Sequence, residues 1–266
     1  MYPPFLFKAA CVMALVIALP VLSFAGPDTE TPVLILADGP QGPEKDLASN
    51  GLLAGATLLS TLTANAMTVN VYSRDPEGVG FREASERLVR VEDTLLYLMD
   101  VLNESGEFDL MLGASEFDGS GALAQGGTFW GDPAGNGAVF RRLTEGVKPF
   151  PAYAEMVLVF DWGWNWNTSM APPAADKVDL RSVLLHEMTH GLGFSTFMGA
   201  NGASVQGAGI YTNLDLLLAA GNPSGFLISA GVFVGNTAAL TGGAGAFGGP
   251  AATTAFGGTL PPVSSP

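Results

Sequence analysis

The chain has 266 residues, with 11 Lys and Arg against 25 Asp and Glu, and a formal net charge of −14. A phosphate backbone needs a basic face, so this balance excludes a nucleic-acid partner and disfavours docking on anionic lipid. With 48% hydrophobic and only 14% charged residues, the composition is not that of an acidic disordered protein. The length suffices for a sizeable core in one domain or two small lobes.

Residues 1–25 read as a secretory signal peptide. Lys8 gives a positive start, Ala9 to Leu19 an apolar run, Pro20 a break, and Ser23-Phe24-Ala25 a small-residue cleavage site. The alternative, an uncleaved anchor, suffers from a run shorter than the roughly 20 residues a spanning helix needs. Cleavage near Ala25 predicts an extracellular or periplasmic protein with no membrane association. The single cysteine, Cys11, lies inside this leader. From Gly26 onward thiol catalysis, cysteine-ligated zinc and disulfides are therefore excluded. The expected organisation is a leader (1–25), a main part (26–200) and a Gly/Ala-rich, nearly uncharged C-terminal part (201–266).

Val33-Leu34-Ile35-Leu36 is expected to be a strand. Residues 46–64, small and apolar, are expected to be helical. Thr68 to Tyr72 alternates as a strand does. Arg82 to Glu104 is the best conventional helix, with Ala84, Leu88, Val91, Leu95, Leu98, Met99 and Leu102 on one side. The opposite side, with Arg82, Glu86, Arg87, Arg90, Glu92 and Asp93, is expected to be solvated. Asn103 to Gly106 ends it. Phe108 to Leu112 is a strand, and the Gly-rich stretch from Gly119 to Gly137 is read as turns, with no phosphate-cradle pattern. Ala138 to Leu143 is expected to be a strand pairing with Met156 to Asp161, whose continuous apolar run predicts a buried strand. Trp162, Trp164 and Trp166 follow at period two. On a strand they would share one face, as a packing ladder or as a stacking platform. Tyr211 to Ala220 is expected to hold a short helix.

Chemistry enters at His186-Glu187-Met188-Thr189-His190, which has the pattern H-E-x-x-H. The segment reads as a helix over about 179–192. Asp176 or Asp179 caps it, Leu180, Val183, Leu184 and Met188 form its apolar stripe, and Gly191 and Gly193 end it. Residues four apart on a helix stand one above the other, so both imidazoles can reach one ion, and zinc accepts neutral imidazole nitrogens. Glu187 then sits beside the ion, placed to take a proton from a zinc-activated water. Against this stands the reading of two ordinary histidines. Two histidines scattered at random fall four apart roughly 1% of the time, and a Glu beside the first lowers the joint chance to about a few in ten thousand.

Val183 to Ser195, V-L-L-H-E-M-T-H-G-L-G-F-S, resembles the active helix of secreted bacterial zincin-like metallopeptidases. Val157 to Asp161, Tyr211 with Asp215 and Leu216, and Val232 to Ala239 resemble further segments of that group, so the likeness covers about residues 150–240. It implies an α+β fold in which a mixed twisted sheet packs on the active-site helix. It also implies Zn²⁺ held by His186 and His190, Glu187 as general base, and hydrolysis of a peptide or protein substrate. One departure stands out. Where metzincins carry a third histidine, this chain has Thr196, and it has only two histidines in all. Met198 lies too close to the helix to form a methionine turn. The resemblance leaves Asp215 as candidate third ligand, with a helix-capping Asp as its alternative. Tyr211 is either an oxyanion donor or a packed tyrosine. A non-catalytic extracellular binding protein on a degenerate zincin scaffold is the competing function.

Overall fold

The computed structural model describes residues 33–36, 51–115, 122–131, 136–220, 226–235, 245–255 and 257–259, with residues 33–36 described by their backbone. The leader with Lys8, Cys11 and Ala25 lies outside the described residues. The described chain is α+β. Its contacts divide it into two compact units, one holding residues 31–131 and 137–194, the other residues 132–136 and 195–266.

The first unit is built on a mixed six-stranded sheet. Its strands are β1 (Val33–Leu36), β2 (Thr57–Ala64), β3 (Met67–Ser73), β4 (Gly106–Ser115), β5 (Ala124–Trp130) and β6 (Met156–Asp161), in the order β1-β5-β6-β4-β3-β2. β3, β4 and β6 run parallel, with Val69 opposite Phe108 and Leu112 opposite Leu158. β2 and β5 run against them, and β1 runs against β5, with Val33 opposite Trp130 and Leu36 opposite Gly127. The parallel pairs need crossovers. One is α1 (Ser85–Leu102), reached through a 3-10 turn at Gly80–Arg82.

Alternation decides which side chains enter the core. In β3, Met67, Val69 and Val71 are buried and the residues between them half-buried. In β6, Met156, Leu158 and Phe160 face one way and Val157 the other. All four are fully buried, as the unbroken apolar run predicts, while Val159 is half-buried. Val157 joins Met111, Phe129, Phe150 and Ala154 on one side.

α1 and β6 match their expected positions, and Asn103 ends α1 with φ 48°, its N–H bonded to the Met99 carbonyl at 3.0 Å. The face of α1 expected to be solvated is partly committed. Arg90 is buried, 3.7 Å from Asp179, and Arg87 lies over the Trp162 ring at 3.9 Å.

Four expectations are corrected. Residues 46–50 lie outside the described residues. Within 51–64 the chain forms β2 and not helix, because β3 offers it seven antiparallel partners from Met67 to Ser73. Ala138–Glu145 is a helix, α2, between Gly137 and the left-handed Gly146. Met156–Asp161 pairs instead with β4 and with β5, a strand inside the stretch read as turns. Trp162, Trp164 and Trp166 do not share a strand. The chain turns after Asp161, and half-buried Trp162 packs on buried Trp166 at 5.8 Å, in an aromatic cluster with the buried Phe160 and Phe81.

A short parallel pair, β7 (Trp166–Asn167) and β8 (Val178–Asp179), leads into α3 (Leu180–Gly191). The second unit holds α4 (Asn213–Leu216), β9 (Leu218–Ala220), β10 (Ile228–Ser229), β11 (Val232–Phe233), β12 (Gly245–Phe247) and α5 (Pro250–Ala255). The helix expected within 211–220 is thus one turn followed by a strand paired with β12. No helix among the described residues is long and apolar enough to cross a membrane.

Candidate metal centre

α3 starts where the sequence places its cap. Asp179 is extended, and its Oδ2 accepts the Ser182 N–H at 3.2 Å and the Ser182 hydroxyl at 2.6 Å. Its other oxygen faces Arg90 of α1, so one carboxylate fixes both the start of α3 and its place beside α1. Leu180, Leu184 and Met188 recur every four residues and are fully buried.

At Gly126 the helix lies against the sheet with no side chain between the backbones. A Cβ added to Gly126 of β5 would stand 2.3 Å from the Glu187 carbonyl oxygen and 2.7 Å from its Cα. A Cβ on Gly191 would meet Met156 Cγ at 2.5 Å. The approach at Gly126 requires glycine, since it meets backbone and real Cβ contacts are not that short. Gly191 packs on the flexible Met156 side chain, and Gly193, at φ +100°, makes the turn that follows.

That turn brings a carbonyl back to the helix. The Phe194 N–H bonds to the Thr189 carbonyl at 3.2 Å, and the Phe194 carbonyl oxygen lies 2.8 Å from His190 Nδ1. A carbonyl only accepts, so Nδ1 carries the proton and Nε2 keeps its lone pair. His190 Nε2 in turn lies 3.2 Å from His186 Nε2, with the two rings 85° apart. Two nitrogens held about 2.0–2.1 Å from one tetrahedral ion stand about 3.3–3.4 Å apart. The pair therefore has the spacing that a zinc ion needs from two imidazoles, and the neutral His190 ring is held in the tautomer that leaves Nε2 free for it. His186 is exposed, His190 half-buried, and Glu187 between them is buried.

The other candidates lie in the second unit. Asp215 is fully buried. Thr196 Oγ1 donates to its Oδ1, and its Oδ2 accepts the backbone N–H of Phe197 at 3.0 Å and of Thr212 at 2.9 Å. Its own N–H donates to Thr212 Oγ1 at 3.1 Å, completing a capping box on α4. Its carboxylate is engaged as the capping alternative requires. Thr196, at the third-histidine position, belongs to the same network and also accepts the Met198 N–H at 3.0 Å. The Tyr211 hydroxyl donates to the Gly202 carbonyl at 2.9 Å, and its ring packs with Met198, Leu227 and Ile228. Among the described residues, no group of three or more His, Cys, Asp or Glu is placed to hold one metal ion.

Sequence reasoning missed Gly126 and the Phe194 carbonyl. Nothing in a glycine-rich stretch marks one glycine as a helix seat. The Phe194 turn was legible only as glycine after the second histidine. Comparison with protein-family models, curated proteins and solved structures finds no match for this chain.

Proposed function

We propose that this chain is an exported zinc-dependent endopeptidase with a zincin-like arrangement of sheet and helix. The observation that carries the reading is the His186–His190 pair, with Nε2 atoms 3.2 Å apart and the proton of His190 held on Nδ1 by the Phe194 carbonyl. Zinc, when bound, supplies Lewis acidity that polarises a carbonyl and activates water. His186 and His190 present lone pairs to it. The Glu187 carboxylate, carried on a helix turn whose backbone seats on Gly126, takes the proton of the attacking water and returns it to the leaving amine. Peptides and proteins outside the cell are the substrate class, because the leader ending near Ala25 directs export.

A catalytic zinc ordinarily has three protein ligands and a water. With two histidines in the chain and its one cysteine at position 11, a third protein ligand has to be an oxygen donor. The engagement of Asp215 in its capping box favours the second reading, a zinc-holding extracellular binding protein without turnover. The deciding experiment measures zinc per chain by elemental mass analysis on dialysed protein starting at Gly26, alongside cleavage of casein. About one zinc per chain, with cleavage stopped by chelator and by Glu187→Gln, supports the peptidase. Retained zinc without cleavage supports the binding protein. Absence of zinc sinks both.

A further inference from the structure

One strand of the sheet touches the motif. β5 lies directly on α3, with Gly126 against the Glu187 backbone and Trp130 3.8 Å from the position of a Gly193 Cβ. β5 thus runs alongside helix residues 187–193. One edge of β5 is bonded to β6. The other edge, along Gly127 to Trp130, is covered by β1, whose four residues pair antiparallel with it. This is the edge on which an extended peptide would add itself to the sheet beside the helix that carries the two histidines, since such additions use the unpaired backbone groups of an edge strand.

We infer that Val33–Leu36 occupies the substrate's place on β5, so that the chain restrains its own site until this strand is displaced. The inference rests on the peptidase reading for its consequence and on the β1–β5 pairing for its geometry. β1 is short, with four pairs to β5 against the seven that join β2 to β3. It has the advantage of being tethered. A covalently linked strand acts at an effective concentration of about millimolar, so a dilute external peptide competes poorly with it. The sequence of the occupant, Val-Leu-Ile-Leu, defines the substrate class as an extended apolar segment.

The probe is a fluorescein-labelled peptide with the sequence of residues 31–38, Thr-Pro-Val-Leu-Ile-Leu-Ala-Asp. Its binding is followed by fluorescence polarisation to zinc-loaded protein starting at Gly26, in the Glu187→Gln background so that nothing is cleaved. Leu34→Pro with Ile35→Pro removes two backbone donors from β1 and unseats it. Binding at least tenfold tighter than to the parent is expected, and equal affinity in a variant with unchanged zinc and circular dichroism overturns the inference. The parent itself gives a second measurement, which stands even if the double variant misfolds. Millimolar unlabelled peptide is expected to speed amide hydrogen exchange across 33–36 while β5 stays protected. Unaltered exchange in β1 overturns the inference. With Glu187 restored, tighter binding but no zinc-dependent cleavage leaves the edge inference standing and removes the peptidase. Equal binding with zinc-dependent cleavage does the reverse.

Discussion

The carbonyl of Glu187 and the Cα of Gly126 are in direct backbone contact across the helix–sheet interface, with no room for a methyl group between them. Gly126→Ala therefore has to push α3 off β5. Overpacking of a tight core typically costs about 1–3 kcal/mol. The expected outcome is a loss of that size in urea unfolding, accompanied by weaker zinc retention, because the displaced helix carries both histidines. Full stability and unchanged zinc in Gly126→Ala would show that the interface relaxes freely.

In the proposed site His190 has two roles divided between its ring nitrogens, Nδ1 donating to the Phe194 carbonyl and Nε2 facing the metal. His190→Ala and His186→Ala are each expected to abolish zinc retention after dialysis. Glu187→Gln is expected to keep zinc and to lower turnover by about 10²–10⁴-fold, the range of general acid–base catalysis. Metal bound only by the folded state raises stability by about 2.7 kcal/mol at a hundred times its Kd. Chelator should accordingly lower the Tm of the parent and leave that of the two histidine variants unmoved. A parent whose Tm ignores chelator does not hold zinc.

Asp215 closes a loop in its own unit. Asp215→Ala leaves the Phe197 and Thr212 N–H groups and the Thr196 hydroxyl without their acceptor. A destabilisation of about 2–4 kcal/mol is expected from the two buried backbone donors, the exposed Thr196 hydroxyl turning to water, with zinc per chain unchanged. A folded Asp215→Ala protein that loses its zinc would make this carboxylate a ligand.

Glu155 predicts a pH dependence of stability. It is almost fully buried, its Oε2 accepting the Asp109 N–H at 2.8 Å, with Lys148 and Arg142 at 3.7 and 3.9 Å from Oε1. Burial pushes its carboxyl above the ordinary value of 4.5, the Asp109 charge adding to this, while the N–H bond and Lys148 oppose it. Folding then favours the protonated form. The resulting stability is fully present below about pH 4.5 and is lost as pH rises through the higher folded value. Asp75 acts in the same direction, chiefly through desolvation. Relative to the parent, Glu155→Gln should gain stability as pH is raised from 4.5 towards neutrality, measured by urea midpoints across that range. A constant difference between the two proteins would refute this.

The helix of the motif, its cap, β3, β6 and α1 were legible because each carries its own period, cap or unbroken apolar run. Segments whose form depends on a neighbour were not. Residues 57–64 have the small apolar composition of a helix, yet they are a strand because β3 lies beside them. Ala138–Glu145 was too short for its period to register against a strand reading. β5 was hidden by glycines that serve close packing and not turning. The two imidazoles and Glu187 could be read from spacing alone, whereas the carbonyl that sets the tautomer of His190 depends on a turn geometry that spacing does not encode.

Under the proposed function, the glycine beneath the helix also bears on how such chains would lose their chemistry over time. A substitution at 186, 187 or 190 is visible in any sequence as a broken motif. Every substitution at Gly126 adds at least a methyl group at a point where the helix backbone already stands. A descendant with any other residue there would still display His-Glu-x-x-His while its two imidazoles and carboxylate had lost their seat. In chains of this kind, motif decay can begin some sixty residues away from the motif, at a position that no search for the motif inspects.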